Sequence, residues 1–140
     1  RKKFMAANTK KRVAVKHIRD GIKSNYKKDC KCAICSTEEK LELHHYTTVS
    51  TLFKNYVEEH NIPVDTDEEV RAMRDDFYKM YWYELVDYTV TLCEEHHRKL
   101  HSIYGREPPL HTAKKQERWV EKQRDKAEGK TTKGRFASLI

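Results

Sequence analysis

The sequence predicts an α+β fold that is mainly helical, with two short strands followed by a helix. Three observations carry this expectation. Apolar residues recur at three- and four-residue steps behind a capping box, two short segments have strand composition, and cysteines and histidines fall in two short-spaced pairs. With 140 residues, 37% hydrophobic and 36% charged, the chain is the size of one domain and holds only a modest apolar core, so a further staple is expected.

Each element has its own signal. Residues 9–28 set Val13, Val15, Ile18 and Ile22 among basic residues, which predicts a basic helix interrupted near Gly21. Leu41-Glu42-Leu43-His44-His45-Tyr46 alternates at its start and predicts a strand. Residues 49–60 predict a short helix with Leu52, Phe53, Tyr56 and Val57 inward, ending before Pro63. Thr66-Asp67-Glu68-Glu69 is a capping box that opens a helix whose stripe is Val70, Met73, Phe77, Met80, Tyr81 and Trp82; a stripe at this spacing reads as core. Tyr88-Thr89-Val90-Thr91-Leu92, β-branched and aromatic, predicts the second strand. Glu94 to Tyr104 forms a helix with acids in its first turn, stopped by Gly105 and then Pro108-Pro109. A last helix runs from about Thr112 to Glu128 with Trp119 and Val120 as anchors, followed by the polar, basic tail GKTTKGRFASLI. No internal repeat is visible.

The formal net charge of +7 conceals an asymmetry. Residues 1–31 hold twelve Lys/Arg against two acids, residues 36–95 five against fifteen, and residues 96–140 twelve against five. Basic ends favour polyanions through counterion release, whereas the acidic middle is a poor docking face for them. Candidate nucleic-acid contacts are therefore Lys10, Lys11, Arg12 and Lys16 in the first basic segment, Arg98, and Lys133 and Arg135 in the tail. No apolar run approaches a membrane span, and no signal pattern opens the chain, so an intracellular, cytoplasmic protein with no membrane partner is expected.

In such a setting thiols stay reduced, and Cys32-x-x-Cys35 with Cys93-x-x-His96 reads as a four-donor, closed structural zinc site. Its binding energy becomes folding energy and compensates for the thin core. Cys30 is a spare thiol whose wider spacing to Cys35 leaves it outside this set. A second constellation is His44-His45 with His97-x-x-x-His101. Four apart on a helix, His97 and His101 share a face about 6 Å apart at Cβ and can share one metal, while His96 points roughly 100° away toward the zinc. Adjacent strand residues face opposite ways, so one of His44 and His45 completes the metal site and its neighbour reaches a water.

From Cys32 to His101, the runs CAIC, LELHHY and YTVTLCEEHHRKLH resemble an HNH endonuclease of the ββα-metal type, in the zinc-stapled branch found among phage-encoded and homing nucleases. The resemblance covers about half the chain and implies a ββα-metal core of two short antiparallel strands and a helix. It divides the chain into a basic N-terminal segment over 1–31, a nuclease core over 32–105 with a helical insert at about 47–85, and a C-terminal helix and tail over 106–140. By position it implies His45 as general base and His44, His97 and His101 as ligands of a catalytic metal. The family's central asparagine falls at Tyr88, with Asp87 adjacent as a substitute carboxylate, and His96 stands where the usual zinc pattern has cysteine. The implied activity is metal-dependent hydrolysis of phosphodiester bonds in double-stranded DNA. Zn2+ is the structural ion, and Mg2+, Mn2+, Ni2+ or Zn2+ the catalytic one. The competing readings are a non-catalytic, zinc-stapled nucleic-acid-binding module, which predicts binding without cleavage, and an RNA-directed nuclease. Monomer and dimer are both left open.

Overall fold

The computed structural model describes residues 11–129 of the chain, which is mainly helical with one antiparallel pair of strands among those residues. Two compact units divide them: residues 11–27 with Thr47–Tyr88, and Lys28–Tyr46 with residues 89–129. No helix among the described residues is long and apolar enough to cross a membrane.

The first unit is built on three helices, α1 (Lys11–Asp20), α2 (Val49–His60) and α3 (Asp67–Met80). α1 ends at Asp20, and the chain continues through a short 3-10 turn at Lys23–Asn25 rather than resuming a helix to residue 28. Ala14, Val15 and Ile18 of α1 are buried, as is Ile22 just beyond it. α2 buries Leu52, Phe53 and Tyr56 and stops at Asn61 in the left-handed region, φ 52°. α3 starts at the capping box: the Thr66 hydroxyl accepts from the Glu69 N–H at 3.2 Å, and the Glu69 carboxylate accepts from the Thr66 N–H at 3.0 Å. Acids at 67, 68 and 69 also oppose the positive end of the helix dipole.

Phe77 is the centre of this core, with the rings of Phe53, Tyr56 and Tyr81 at 5.9, 5.3 and 5.4 Å. The apolar stripe expected to run to Trp82 ends earlier. Met80 and Trp82 are 55% and 41% exposed. Met80 is the last residue of α3, and beyond it the chain changes pitch into a π-helical turn at Tyr83–Asp87, so the 100° periodicity that would turn Trp82 inward is lost.

Gly21, directly after α1, lies against side chains of α3. A Cβ there would collide with the Tyr78 hydroxyl and lie 2.9 Å from the Arg74 guanidinium. Those two groups satisfy carbonyls of the last turn of α1: Arg74 donates to His17 O at 3.0 Å and Tyr78 to Ile18 O at 2.5 Å. Gly21→Ala is therefore expected to cost about 1–3 kcal/mol by overpacking and by displacing these donors. Urea titration checks this, and an unchanged midpoint would show that both side chains can swing aside freely.

In the second unit β1 (Leu41–His45) pairs with β2 (Thr89–Cys93), with Leu41 opposite Cys93 and His45 opposite Thr89. Tyr46 and Tyr88 fall just outside the pairing, and Cys93 falls inside it. β2 runs without a loop into α4 (Glu94–Tyr104), because Cys93 is both the last strand residue and the helix N-cap, its sulfur accepting from the His96 N–H at 3.5 Å. Gly105, at φ 98°, ends α4, and a 3-10 turn at Leu110–Thr112 leads into α5 (Ala113–Ala127). Trp119 is half-buried, and the inward residues of α5 are Gln116 and Val120.

Candidate metal centre

Among the described residues two groups bring possible ligand atoms within 4.8 Å of one another: Cys32, Cys35, Cys93 and His96, and separately His44, His97 and His101. Both lie in the second unit.

The first group rests on a turn and a helix start. The Cys32 N–H donates to Thr37 O at 2.8 Å and the Ser36 N–H to Cys32 O at 3.0 Å, with Ser36 at φ 64°, so the loop curls around the two thiols. The Ala33 N–H donates to Thr91 O at 2.9 Å, which ties the loop to β2. From α4, Cys93 and His96 occupy N-cap and N3, three apart on one side of the first turn. His96 Nδ1 lies 3.2 Å from Cys93 Sγ and 4.0 Å from Cys32 Sγ, and the Cys35 and Cys93 sulfurs are 3.9 Å apart. Tetrahedral zinc with ordinary Zn–S and Zn–N bonds requires roughly 3.8 Å between sulfurs and 3.6 Å between sulfur and nitrogen. The donor set fits that ion.

Electrostatics agrees with a cation there. Burial disfavours the Cys32 thiolate, yet backbone N–H groups of Cys35, Cys93 and Ile34 outweigh it and hold the thiol below its ordinary value. Burial and the neighbouring Cys32 push Cys93 up. Several thiolates can share this volume only around a positive charge. Burial also lowers His96, with Lys99 adding to the effect, so the ring offers a neutral nitrogen.

The second group joins β1 to α4. His44 is 3% exposed, and its Nδ1 faces His97 Nε2 at 3.1 Å; His101 Nε2 lies 3.1 Å from the same His97 nitrogen. Nitrogens bound to one cation at about 2.0–2.1 Å stand roughly 2.8–3.4 Å apart, depending on octahedral or tetrahedral angles. The outward nitrogen of each ring meets an acceptor. His44 Nε2 donates to the Gln116 side-chain oxygen at 2.7 Å, His97 Nδ1 to Glu42 at 2.7 Å and His101 Nδ1 to Gly105 O at 2.8 Å. With the outward nitrogens so engaged, the three rings turn their other nitrogens toward one point, an arrangement suited to a cation. Burial pushes His44 down to about 3, so no proton competes for its nitrogen near neutral pH.

His45, the last residue of β1, stands outside this group; strand alternation turns it to the face opposite His44, opposite Thr89 on β2. Asp87 and Tyr88 belong to the first unit, where Asp87 pairs with Lys27 at 2.7 Å and Tyr88 stacks on Tyr83 at 5.4 Å. Lys16 pairs with Asp20 at 2.8 Å and Arg98 with Glu94 at 3.3 Å, both exposed. Lys11 and Arg12 fall on α1, but their side chains lie outside the described residues, as do Lys10, Lys133 and Arg135 altogether.

Two contributors escape a reading of histidines and cysteines alone. Glu42 carries a signal, since it sits two residues before His44 and so shares its face of the strand. Gln116 carries a fainter one. Thr112, Gln116 and Val120 are four apart on the inward side leading into α5, and a glutamine in that series is a polar group in a core position.

No solved structure matches the chain. A family model named for the phage T5 nicking endonuclease, and described as the nicking endonuclease family, matches residues 5–134. That match runs through both units and both metal-ligand groups, and the chain belongs to the nicking endonuclease family.

Proposed function

We propose that this chain is a metal-dependent endonuclease of the HNH, ββα-metal type, in its zinc-stapled branch, that hydrolyses one strand of duplex DNA at a time. The observation that carries the reading is the convergence of His44, His97 and His101 with every outward nitrogen already engaged. The family description supplies the nicking activity. A non-catalytic binding module needs only the Cys/His sphere and leaves the three imidazoles unexplained.

In this reading Cys32, Cys35, Cys93 and His96 hold a structural zinc. His44, His97 and His101 hold a divalent cation, and three imidazole donors favour Mn2+, Ni2+ or Zn2+ over Mg2+. Bound there, the cation supplies Lewis-acid stabilisation of charge on the scissile phosphate and the leaving oxygen. His45 is the general base. A neutral imidazole accepts the proton of a water whose oxygen forms the new bond to phosphorus as the bond to the leaving oxygen breaks. Glu42 and Gly105 O hold the His97 and His101 rings in their ligating orientation. The basic residues of the two ends, Lys16 and Arg98 among them, contact backbone phosphates, which positions the duplex without reading its sequence.

Supercoiled plasmid tests this. With Mn2+, Ni2+ or Mg2+ added to the zinc-containing chain, open circles are expected to accumulate before any linear product. His97→Ala is expected to slow their formation more than about 100-fold, the loss of a Lewis acid worth several kcal/mol. Absence of cleavage with every cation would leave the binding module, and linear product from the first turnover would exclude a nicking mode.

A further inference from the structure

The orientation of the His44 ring is set from outside the strands and helix that carry the ligands. Gln116, on α5, is 0% exposed, and each of its polar atoms has a partner. The direction of every hydrogen bond in this group follows from the chemistry of its end. Pro109 O can only accept, so the Thr112 hydroxyl donates to it at 2.6 Å and presents its lone pairs elsewhere. Tyr46 O also can only accept. The Gln116 amide nitrogen therefore faces these two acceptors, Thr112 Oγ1 at 2.9 Å and Tyr46 O at 3.3 Å. That leaves the amide oxygen toward His44 Nε2 at 2.7 Å, and an oxygen with no proton requires the proton to be on Nε2. His44 Nδ1 is thereby left with its lone pair facing His97 and His101.

We infer that Gln116 is a positioning residue for the metal ligand His44, and that residues 109–116 form a clamp fixing which nitrogen of that ring is free to ligate. The inference rests on the reading of the three-imidazole group as a cation site. Without the amide oxygen, His44 Nε2–H is a buried donor with no acceptor, whereas a proton moved to Nδ1 could be donated to His97 Nε2 only 3.1 Å away. The uncharged ring then satisfies itself by closing the site, and a cation must displace that proton to bind. Gln116 removes the alternative. The segment leading into α5 is thus part of the working site, although it supplies no ligand.

The test uses the full chain with its Cys-site zinc retained. Proton–nitrogen long-range correlation spectra identify the protonated nitrogen of His44, and calorimetric titration with Ni2+ gives the affinity of the three-imidazole site. Wild type is expected to carry the His44 proton on Nε2. Gln116→Met, close in volume but with no acceptor, is expected to move it to Nδ1 and to weaken Ni2+ about 10–100-fold. Gln116→Glu, which keeps an oxygen for His44 and, protonated on its other oxygen, a donor toward Thr112 Oγ1 or Tyr46 O, is expected to stay within several-fold of wild type. A wild-type proton on Nδ1 overturns the inference, as do equal losses in the Met and Glu variants, which packing alone would produce. Should Gln116→Met fail to fold, Thr112→Val, which removes the nearer of the two acceptors that orient the amide, is expected to weaken Ni2+ in the same direction, and unchanged affinity there counts against the clamp. If wild type takes up no Ni2+ at all, the cation-site reading fails, while the wild-type spectrum still decides which nitrogen the amide holds.

Discussion

His45→Ala is expected to lower the nicking rate by about 10²–10⁴-fold, the range that a positioned general base contributes, while leaving the metal content of the chain unchanged. The two halves of this expectation follow from one geometric fact. His45 follows His44 directly on β1, yet it stands outside the group of rings that converge, because successive strand side chains face opposite ways. On the proposed mechanism, removing it deletes a proton acceptor and no ligand. Single-turnover plasmid nicking and metal analysis on the same preparation check both halves, and added imidazole is expected to restore part of the rate at neutral pH. Undiminished nicking would remove His45 from the mechanism. Loss of the cation together with the rate would make it a ligand, and the base would have to be sought elsewhere.

The parts of this molecule that could be read in its sequence are those whose chemistry is local. The Thr66–Glu69 capping box fixes the start of α3 within four residues, and Gly105 marks the end of α4. The Cys93-x-x-His96 spacing works because N-cap and N3 are neighbours on a first helical turn, and His97 and His101 are neighbours one turn apart. Properties that depend on distant partners were not legible. Met80 and Trp82 continue an apolar stripe in sequence, but the backbone leaves α-helical pitch after Met80 and they face solvent. That α1 lies against α3 depends on Gly21 leaving room for Tyr78 and Arg74, a long-range complementarity with no periodic signature. Gln116 reads as an ordinary residue of a charged helix until His44, seventy-two positions earlier, is placed beside it.

Loss of the zinc is expected to do more damage than any single core substitution, and to do it in the second unit. The buried apolar residues of the first unit include Phe77, Phe53, Ile18, Ile22, Val70, Leu85 and Val86. Among the described residues the second unit buries Ile34, Tyr46, Leu92, Leu100, Pro108 and Val120, and beside them His44, Thr91, Thr112, Gln116 and the thiols of Cys32 and Cys93. An interior so polar gains little from hydrophobic burial, so its order depends on bonds that cross-link the Cys32 loop to the β2–α4 junction. Structural zinc contributes about 10–16 kcal/mol in small peptides near neutral pH, as much as or more than the roughly 5–15 kcal/mol by which whole domains are stable. Cys93→Ala removes a proposed ligand and the side-chain cap of α4 in one change, at the last paired position of β2. Hydrogen exchange is expected to show amide protection lost across β1, β2 and α4, with the same pattern after a strong chelator has taken one zinc per chain. Protection in those elements that survives both treatments would mean the four donors are not a staple. The three imidazoles would then have to be held in register by Glu42, Gln116 and Gly105 alone, and a cation bound among them would carry the folding energy otherwise supplied by zinc.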